Sequence, residues 1–368
     1  MKLSAPACVL SDAISLASAI KRGGNNPCFA HFATTGDAVS IACTEISAGT
    51  IATSVSATIH EPGETAVPID RLAALLPSFA ADAIVEIEAI TTGAVNVVSG
   101  TSRLRLPAVP VAELPAAIAI EEEIGRVEIG SADCLHLLGP LAVADRTRFH
   151  LAGVFWHSVG DQLVAVSTDG IRLIRTEVVA SPFSVDRRLI VPTDVGVAVR
   201  RLLQKADAPR VALQRSQNLI AFKAPSFSFT ARLIDSSFPA YERLIPPPAS
   251  NSAFCNRLDL LAALSRLSAA APSNDTALVA LSWGHGRRLD LYLARSPLDG
   301  ADVVAAEVHG SAEVALSLPQ FAALLREFSD EHVLLKTAGE QPVVIRGAGE
   351  KLALMVRSKW NFGRRTGR

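Results

Sequence analysis

The chain has 368 residues, 49% of them apolar and 19% charged, with a formal net charge of −1. That length and apolar content allow two or three packed domains of roughly 100–200 residues each. The near-neutral balance says nothing by itself about partners, because a neutral chain can still gather Lys and Arg on one surface.

The first predicted element is a helix over Cys8–Ile20, with Val9, Ala13, Leu16 and Ile20 at helical spacing and Ser11-Asp12 as capping-type residues near its start. A second helix follows Val67-Pro68 and carries Ile69, Leu72, Leu75 and Leu76. A proline suits the first turn of a helix, where its missing N–H has no helical partner, and it holds the preceding residue extended. Strands are predicted over Ala83–Ile90, Val95–Val98 and Arg103–Leu106. A third helix spans Ala132–Ala144, with Ser131 and Asp133 near its start. Asp161–Ser167 and Ile171–Arg175 form a hairpin about Thr168-Asp169-Gly170, since Asp-Gly between alternating runs is a strong turn signal. Val191-Pro192 opens a fourth helix through Leu203, Arg257–Ala270 is a fifth, and Leu318-Pro319 opens a sixth.

The apolar-proline-helix pattern therefore occurs three times, beginning at Val67, Val191 and Leu318, and 191 − 67 = 124 while 318 − 191 = 127. A period of that size is a domain, not a solenoid repeat. The expected fold class is α+β, one domain used three times, each copy two helices packed on short antiparallel strands. Boundaries fall at 1–122, 123–250 and 251–357, with a basic tail over 358–368. The second boundary lies in the proline-rich stretch Pro246–Asn251.

The five cysteines (Cys8, Cys28, Cys43, Cys134, Cys255) form no C-x-x-C pair, and the eight histidines show no H-x-H or H-E-x-x-H spacing. Reduced thiols in a cytoplasmic protein are expected, with no metal and no cofactor. No run of about 20 apolar residues is present to span a membrane. The N-terminus has no pattern of a secretory leader.

Four segments carry a family resemblance. Asp235-Ser236-Ser237-Phe238-Pro239-Ala240-Tyr241-Glu242-Arg243-Leu244-Ile245-Pro246 resembles the F-P-x-Y-x-x-[VL]-[IL]-P segment of bacterial DNA polymerase sliding clamps, the β subunit of the replicative polymerase. Ser167–Leu173 is similar to that family's A-T-D-G-x-R-L, Glu61–Pro68 to E-P-G-x-x-x-V-P, and Arg148–Val154 to R-x-x-L-N-G-[VM]. The four fall in the family's order. The resemblance implies a ring of two chains joined head to tail, six domains in all, with helices lining a hole threaded by double-stranded DNA. The chain would then have no active site of its own and would tether a DNA polymerase during replication.

A sliding contact must attract phosphates without reading bases. The basic residues on or beside the predicted helices are Lys21, Arg22, Arg71, Arg146, Arg148, Arg200, Arg201, Lys205, Arg257, Arg266 and Arg326, and these are the expected DNA contacts. The resemblance also implies a groove for short linear motifs of the polymerase and the clamp loader. Carried over by motif, it comprises Leu151, Thr168, Gly170, Leu173, Pro239, Leu244, Ala353 and Met355. The implied homodimer interface sets Arg103 and Arg105 against Ala269, Ala270, Asp299 and Asp302.

Departures accompany the resemblance. The last strand lacks the family's Met-Pro-Met and has Ala353 where a larger aliphatic is usual, so the groove is expected to be wider or softer. Ser268–Ala271 stands where larger aliphatics are usual, so a weak dimer is expected. The loop Gly23–Pro27 differs, and a tail with Trp360 and Phe362 follows. An enzyme built on Asp169, Thr168 and His150 or His157 finds no nucleophile elbow and no phosphate-cradling loop. The alternative to the main replicative clamp is a specialised or accessory clamp serving a repair or translesion polymerase or a mobile replicon.

Overall fold

The computed structural model describes residues 1–20, 28–90, 93–180, 189–271, 276–284, 286–294, 300–349 and 351–359. Lys21, Arg22, the Gly23–Pro27 loop, Asp299, Trp360 and Phe362 lie outside the described residues. The chain divides into two compact units, 1–135 with 180–235, and 136–179 with 236–368. The division runs through the second predicted repeat, because that repeat pairs by strands with its neighbour on each side.

In the first unit, a five-stranded antiparallel sheet runs in the order Thr58–Glu61, Lys2–Pro6, Ile84–Ile90, Ala94–Ser99, Ser102–Pro107. An eight-stranded sheet runs Gly125–Gly130, Arg210–Arg215, Leu219–Ala224, Phe227–Arg232, Gly49–Ser56, Ala38–Glu45, Phe29–Thr35, Glu64–Pro68. The join between repeats lies inside this second sheet, where Ser228, Phe229 and Thr230 pair antiparallel with Ala52, Ile51 and Thr50. In the second unit the same join recurs. Arg172, Leu173, Ile174 and Arg175 pair with Met355, Leu354, Ala353 and Leu352. Further along that sheet, the strand Ala301–His309 pairs through its first half with Arg288–Tyr292 and through its second half with Ser252–Cys255.

Among the described residues six α-helices accompany the sheets: α1 Ala7–Ala17, α2 Ile69–Leu75, α3 Ser131–Leu137, α4 Thr193–Lys205, α5 Arg257–Ala270 and α6 Leu318–Arg326. The fifth agrees with its expected span, and α4 continues to Lys205. The third does not agree. It ends at Leu137, and Gly139–Val143 follows as a 3₁₀ turn. Pro140 has no N–H, and its ring would strike the carbonyl of His136 in a continuous helix. The carbonyls released by this break are used: Thr176 Oγ1 donates to His136 O at 3.2 Å, and buried Trp156 Nε1 donates to Leu137 O at 3.3 Å.

The caps also differ from expectation. Pro68 and Pro192, with φ of −55° and −57°, are the last residues of strands and stand just before α2 and α4, whereas Pro319 lies within the first turn of α6. Ser11 and Asp12 are inside α1, not at its cap. Ser131 turns its hydroxyl to Ala208 O at 2.6 Å. The side-chain cap on α5 comes from Asn256, whose Oδ1 accepts from Leu258 N and Asp259 N at 2.9 and 3.2 Å.

The third repeat shows what the helices do for packing. Leu260, Ala263, Leu264 and Leu267 of α5 meet Phe321, Leu324 and Leu325 of α6 in one apolar cluster, over strand residues such as Val279, Leu281 and Leu335. Cys255 belongs to this cluster, and burial pushes its thiol up to about 12, so it remains protonated at neutral pH. Burial likewise raises Cys134, while Cys8 is exposed. Among the described residues no group of His, Cys, Asp and Glu could hold a metal ion, and no helix is long and apolar enough to cross a membrane.

Candidate nucleic-acid and peptide interfaces

The helix α4 is amphipathic. Val195, Ala198, Val199, Leu202 and Leu203 are buried, while Arg200, Arg201, Gln204 and Lys205 are exposed. Residues 201 and 205 are one turn apart, and 200 and 204 likewise, so the exposed side is a single polar band. Lys205 Nζ also reaches α1, donating to Ser15 Oγ at 2.8 Å and Ser15 O at 3.1 Å. Arg71 on α2 and Arg326 on α6 are exposed.

The other basic residues are placed differently. Arg257 is half-buried and donates from Nε to Asp330 O at 2.7 Å. Arg266 Nε donates to Asp302 Oδ2 at 2.7 Å, and this contact holds the Asp302 carboxyl below the usual range. One residue expected to meet DNA is thus tied to one expected at the dimer interface. Arg146 and Arg148 lie in the loop after the 3₁₀ turn. Arg148 Nε donates to Asp145 Oδ2 at 2.7 Å, and its Nη2 donates to Asp169 O, across to the hairpin turn. Hydrogen bonds from Thr147 and Arg148 hold the Asp145 carboxyl well below the ordinary carboxylate range.

That turn carries Thr168 and Gly170, two of the residues expected at the peptide site. Thr168 pairs with Leu173, and Gly170 takes φ +80°, a conformation a Cβ would strain. Asp169 Oδ1 accepts from Ile171 N and Arg172 N at 2.9 and 2.7 Å, and Oδ2 accepts from Arg172 Nε and Nη2 at 3.0 and 2.8 Å. Thr168 Oγ1 donates to Arg172 O and accepts from Gly170 N. Replacing Asp169 by Ala leaves these donors without their acceptor and should cost about 2 kcal/mol in denaturant unfolding. Asp169→Asn keeps one oxygen for the backbone donors and should lose less. A loss for Asp169→Ala within about 0.5 kcal/mol, the range of an ordinary surface change, would contradict this assignment.

Register decides which side chains share the groove face. Residues directly opposite in an antiparallel pair point to the same side. Thr168, Leu173, Leu354 and Val344 are successive partners across four strands and form one row. Phe155, Val166, Arg175 and Leu352 form the next row on the same face. Ala353 and Met355 are opposite Ile174 and Arg172, on the other face, and both are buried in the core cluster of the third repeat together with Ile174. The expectation that Ala353 and Met355 line the groove is therefore corrected: the last strand presents Leu352 and Leu354 beside Leu173. The expected widening by Ala353 loses its basis for the same reason.

The segment after Ser236 lies on this face. Phe238 stacks on Phe155 with ring centroids 4.7 Å apart and planes within 2°, and Tyr241 OH is hydrogen-bonded to His157 Nε2 at 2.8 Å. Burial raises the Tyr241 phenol above its ordinary value, partly opposed by Arg175. Pro239 and Leu244 follow on the surface, with Leu244 50% exposed. Ile171 and Val356, joined by the bond from Val356 N to Ile171 O at 2.9 Å, are also apolar and exposed. Leu151 is buried, and its N–H bonds Arg148 O at 2.8 Å. The result is an apolar floor of Leu173 and Leu354 with exposed apolar margins and a rigid polar turn.

Arg103 and Arg105 stand on the exposed strand Ser102–Pro107, and Ala269 and Ala270 end α5, also exposed.

Residues 141–240, which hold the hairpin and Phe238-Pro239-Ala240, match the model of the DNA polymerase III beta subunit, central domain. Over these residues the chain is similar to the bacterial sliding clamps. The beta sliding clamp of Pseudomonas aeruginosa is 30% identical over 212 residues, covering 56% of this chain and 56% of the relative, so the match spans little more than half of either sequence. A solved sliding clamp from the same organism superposes with a TM-score of 0.89 at 21% identity, over 98% of this chain and 100% of that one. The Caulobacter crescentus clamp gives 0.88 at 21% identity with the same coverage. These similarities show the clamp fold along nearly the whole described chain, including regions where sequence identity is too low to be recognised.

Proposed function

We propose that this chain is a DNA sliding clamp: two copies close into a ring around duplex DNA and tether a DNA polymerase for processive synthesis. The three repeats, 1–122, 123–250 and 251–357, are its domains, and it has no catalytic centre. The observation that carries the reading is the repeated join. The last strand of the second repeat pairs with Gly49–Ser56 of the first, and the last strand of the third pairs with Arg172–Val179 of the second. The same rule leaves two edges over: the last strand of the first repeat, Ser102–Pro107, and the first half of Ala301–His309 in the third. A second copy supplies the missing partner for each, and two copies of three repeats close the ring. Within it, Arg71, Arg200, Arg201, Lys205 and Arg326 serve as sequence-blind phosphate contacts. The face with Leu173 and Leu354, flanked by Leu151, Thr168, Gly170, Pro239 and Leu244, takes the aliphatic or aromatic anchors of short motifs from the polymerase and the clamp loader.

With a loader and a replicative polymerase on a primed single-stranded template, the chain should lengthen products by roughly tenfold or more, since tethering turns rebinding into an intramolecular step. Product lengths unchanged by the chain would contradict the proposal.

A further inference from the structure

The hairpin of the first repeat aligns with that of the second at an offset of 124, and this exposes a difference between their outer faces. In each, a hairpin places one pair of residues four positions before the turn: Phe155 opposite Val166 in the second, His31 opposite Ala42 in the first. At the same offset, Phe238-Pro239-Ala240-Tyr241 corresponds to Leu114-Pro115-Ala116-Ala117, and His157 to Ala33. In the second unit these positions hold the stack of Phe155 on Phe238, closed by Tyr241 and His157. In the first repeat His31, Leu114 and Ala117 stand in place of Phe155, Phe238 and Tyr241, with Phe29 beside them. What remains in their place is a cavity of about 460 Å³, open to solvent, lined among others by His31, Ala42, Thr44, Glu113, Leu114 and Ala117.

That volume is in the range of small-ligand sites. Its walls are mostly apolar, and its charged groups are of one kind. Glu113 is exposed at the wall, Glu64 Oε2 is 3.1 Å from His31 Nε2, and among the described residues no Lys or Arg lines it. We infer that this cavity is a second peptide-binding site, which takes the aromatic side chain of an extended basic peptide into the space that Phe238 and Tyr241 occupy in the neighbouring repeat. The aromatic ring refills the apolar space, and a Lys or Arg beside it faces Glu113 and Glu64. The site is separate from the groove at Leu173 and does not depend on the clamp reading.

The test titrates the full chain with the peptide acetyl-Gly-Lys-Trp-Lys-Gly-amide, followed by NMR shifts of the protein. Saturable binding is expected, at least fivefold weaker when the Trp is replaced by Ala or both Lys by Glu. Ala117→Phe, which returns an aromatic ring to an exposed position, should weaken binding at least tenfold. Glu113→Lys, a surface change that leaves the fold alone, should weaken it at least threefold, and Leu244→Ala at the groove should leave it unchanged. No binding at millimolar peptide, equal binding by the Ala peptide, indifference to both Ala117→Phe and Glu113→Lys, or loss through Leu244→Ala would each overturn the inference.

Discussion

Reversing Arg200 and Arg201 together to Glu should weaken binding of a short DNA duplex by at least tenfold at low salt, more than any other pair of charge changes on the helices. Both side chains lie on the exposed band of α4, whose opposite side is committed to the core. Arg257, Arg266 and Arg148, by contrast, are engaged with Asp330, Asp302 and the Asp145–Asp169 loop pair. If both arginines bind phosphates, the slope of log affinity against log salt should fall by about 1.8, at roughly 0.9 for each phosphate that is no longer neutralised. Arg71→Glu or Arg326→Glu alone should change the slope by about half as much. Anisotropy titrations across a salt series measure both quantities. An unchanged slope in the double variant, or an equal loss from Arg71→Glu, would move the DNA contact away from the second repeat.

The second large effect is on ring closure. The open edge Ser102–Pro107 offers Arg103 and Arg105 with exposed Leu104, and the open half of Ala301–His309 offers exposed Val303 beside Asp302. The internal join at Ser228–Thr230 uses three registered pairs, and an intermolecular join of that kind is short. Ala269 and Ala270 are exposed and add little apolar area, where a large buried aliphatic would contribute about 2–5 kcal/mol per site. Sedimentation velocity should therefore show a dimer at micromolar concentration that dissociates toward nanomolar. Arg103→Glu with Arg105→Glu, placing acid beside acid, should give monomer at 10 µM by about a hundredfold weakening. A wild-type dimer that persists at nanomolar, or a double variant that still dimerises, would refute this interface.

The hairpin at Thr168-Asp169-Gly170 and the helices α4 and α5 are legible in sequence because their signals are local: a turn residue with positive φ, and apolar periodicity over three or four turns. The break in α3 is equally local, since Gly139-Pro140 stands in the middle of the expected helix and proline lacks the N–H a helix interior needs. The groove is legible as a set of segments but not as a set of side chains. Whether Ala353 or Leu354 faces Leu173 depends on register with a strand about 180 residues earlier, and a slip of one residue exchanges the two faces. The ties of Arg266 to Asp302 and Lys205 to Ser15 are hidden for the same reason, because they join residues far apart in the chain.

The central claim is topological, that the chain holds DNA by surrounding it. The direct test loads labelled protein with a clamp loader onto a nicked circular plasmid, removes free protein by gel filtration at high salt, and then linearises the DNA. The protein should remain with the circle and leave once the plasmid is cut, because a ring with weak phosphate contacts slides off an open end. Protein that stays equally on the linear form, or that never remains on the circle, would contradict the account.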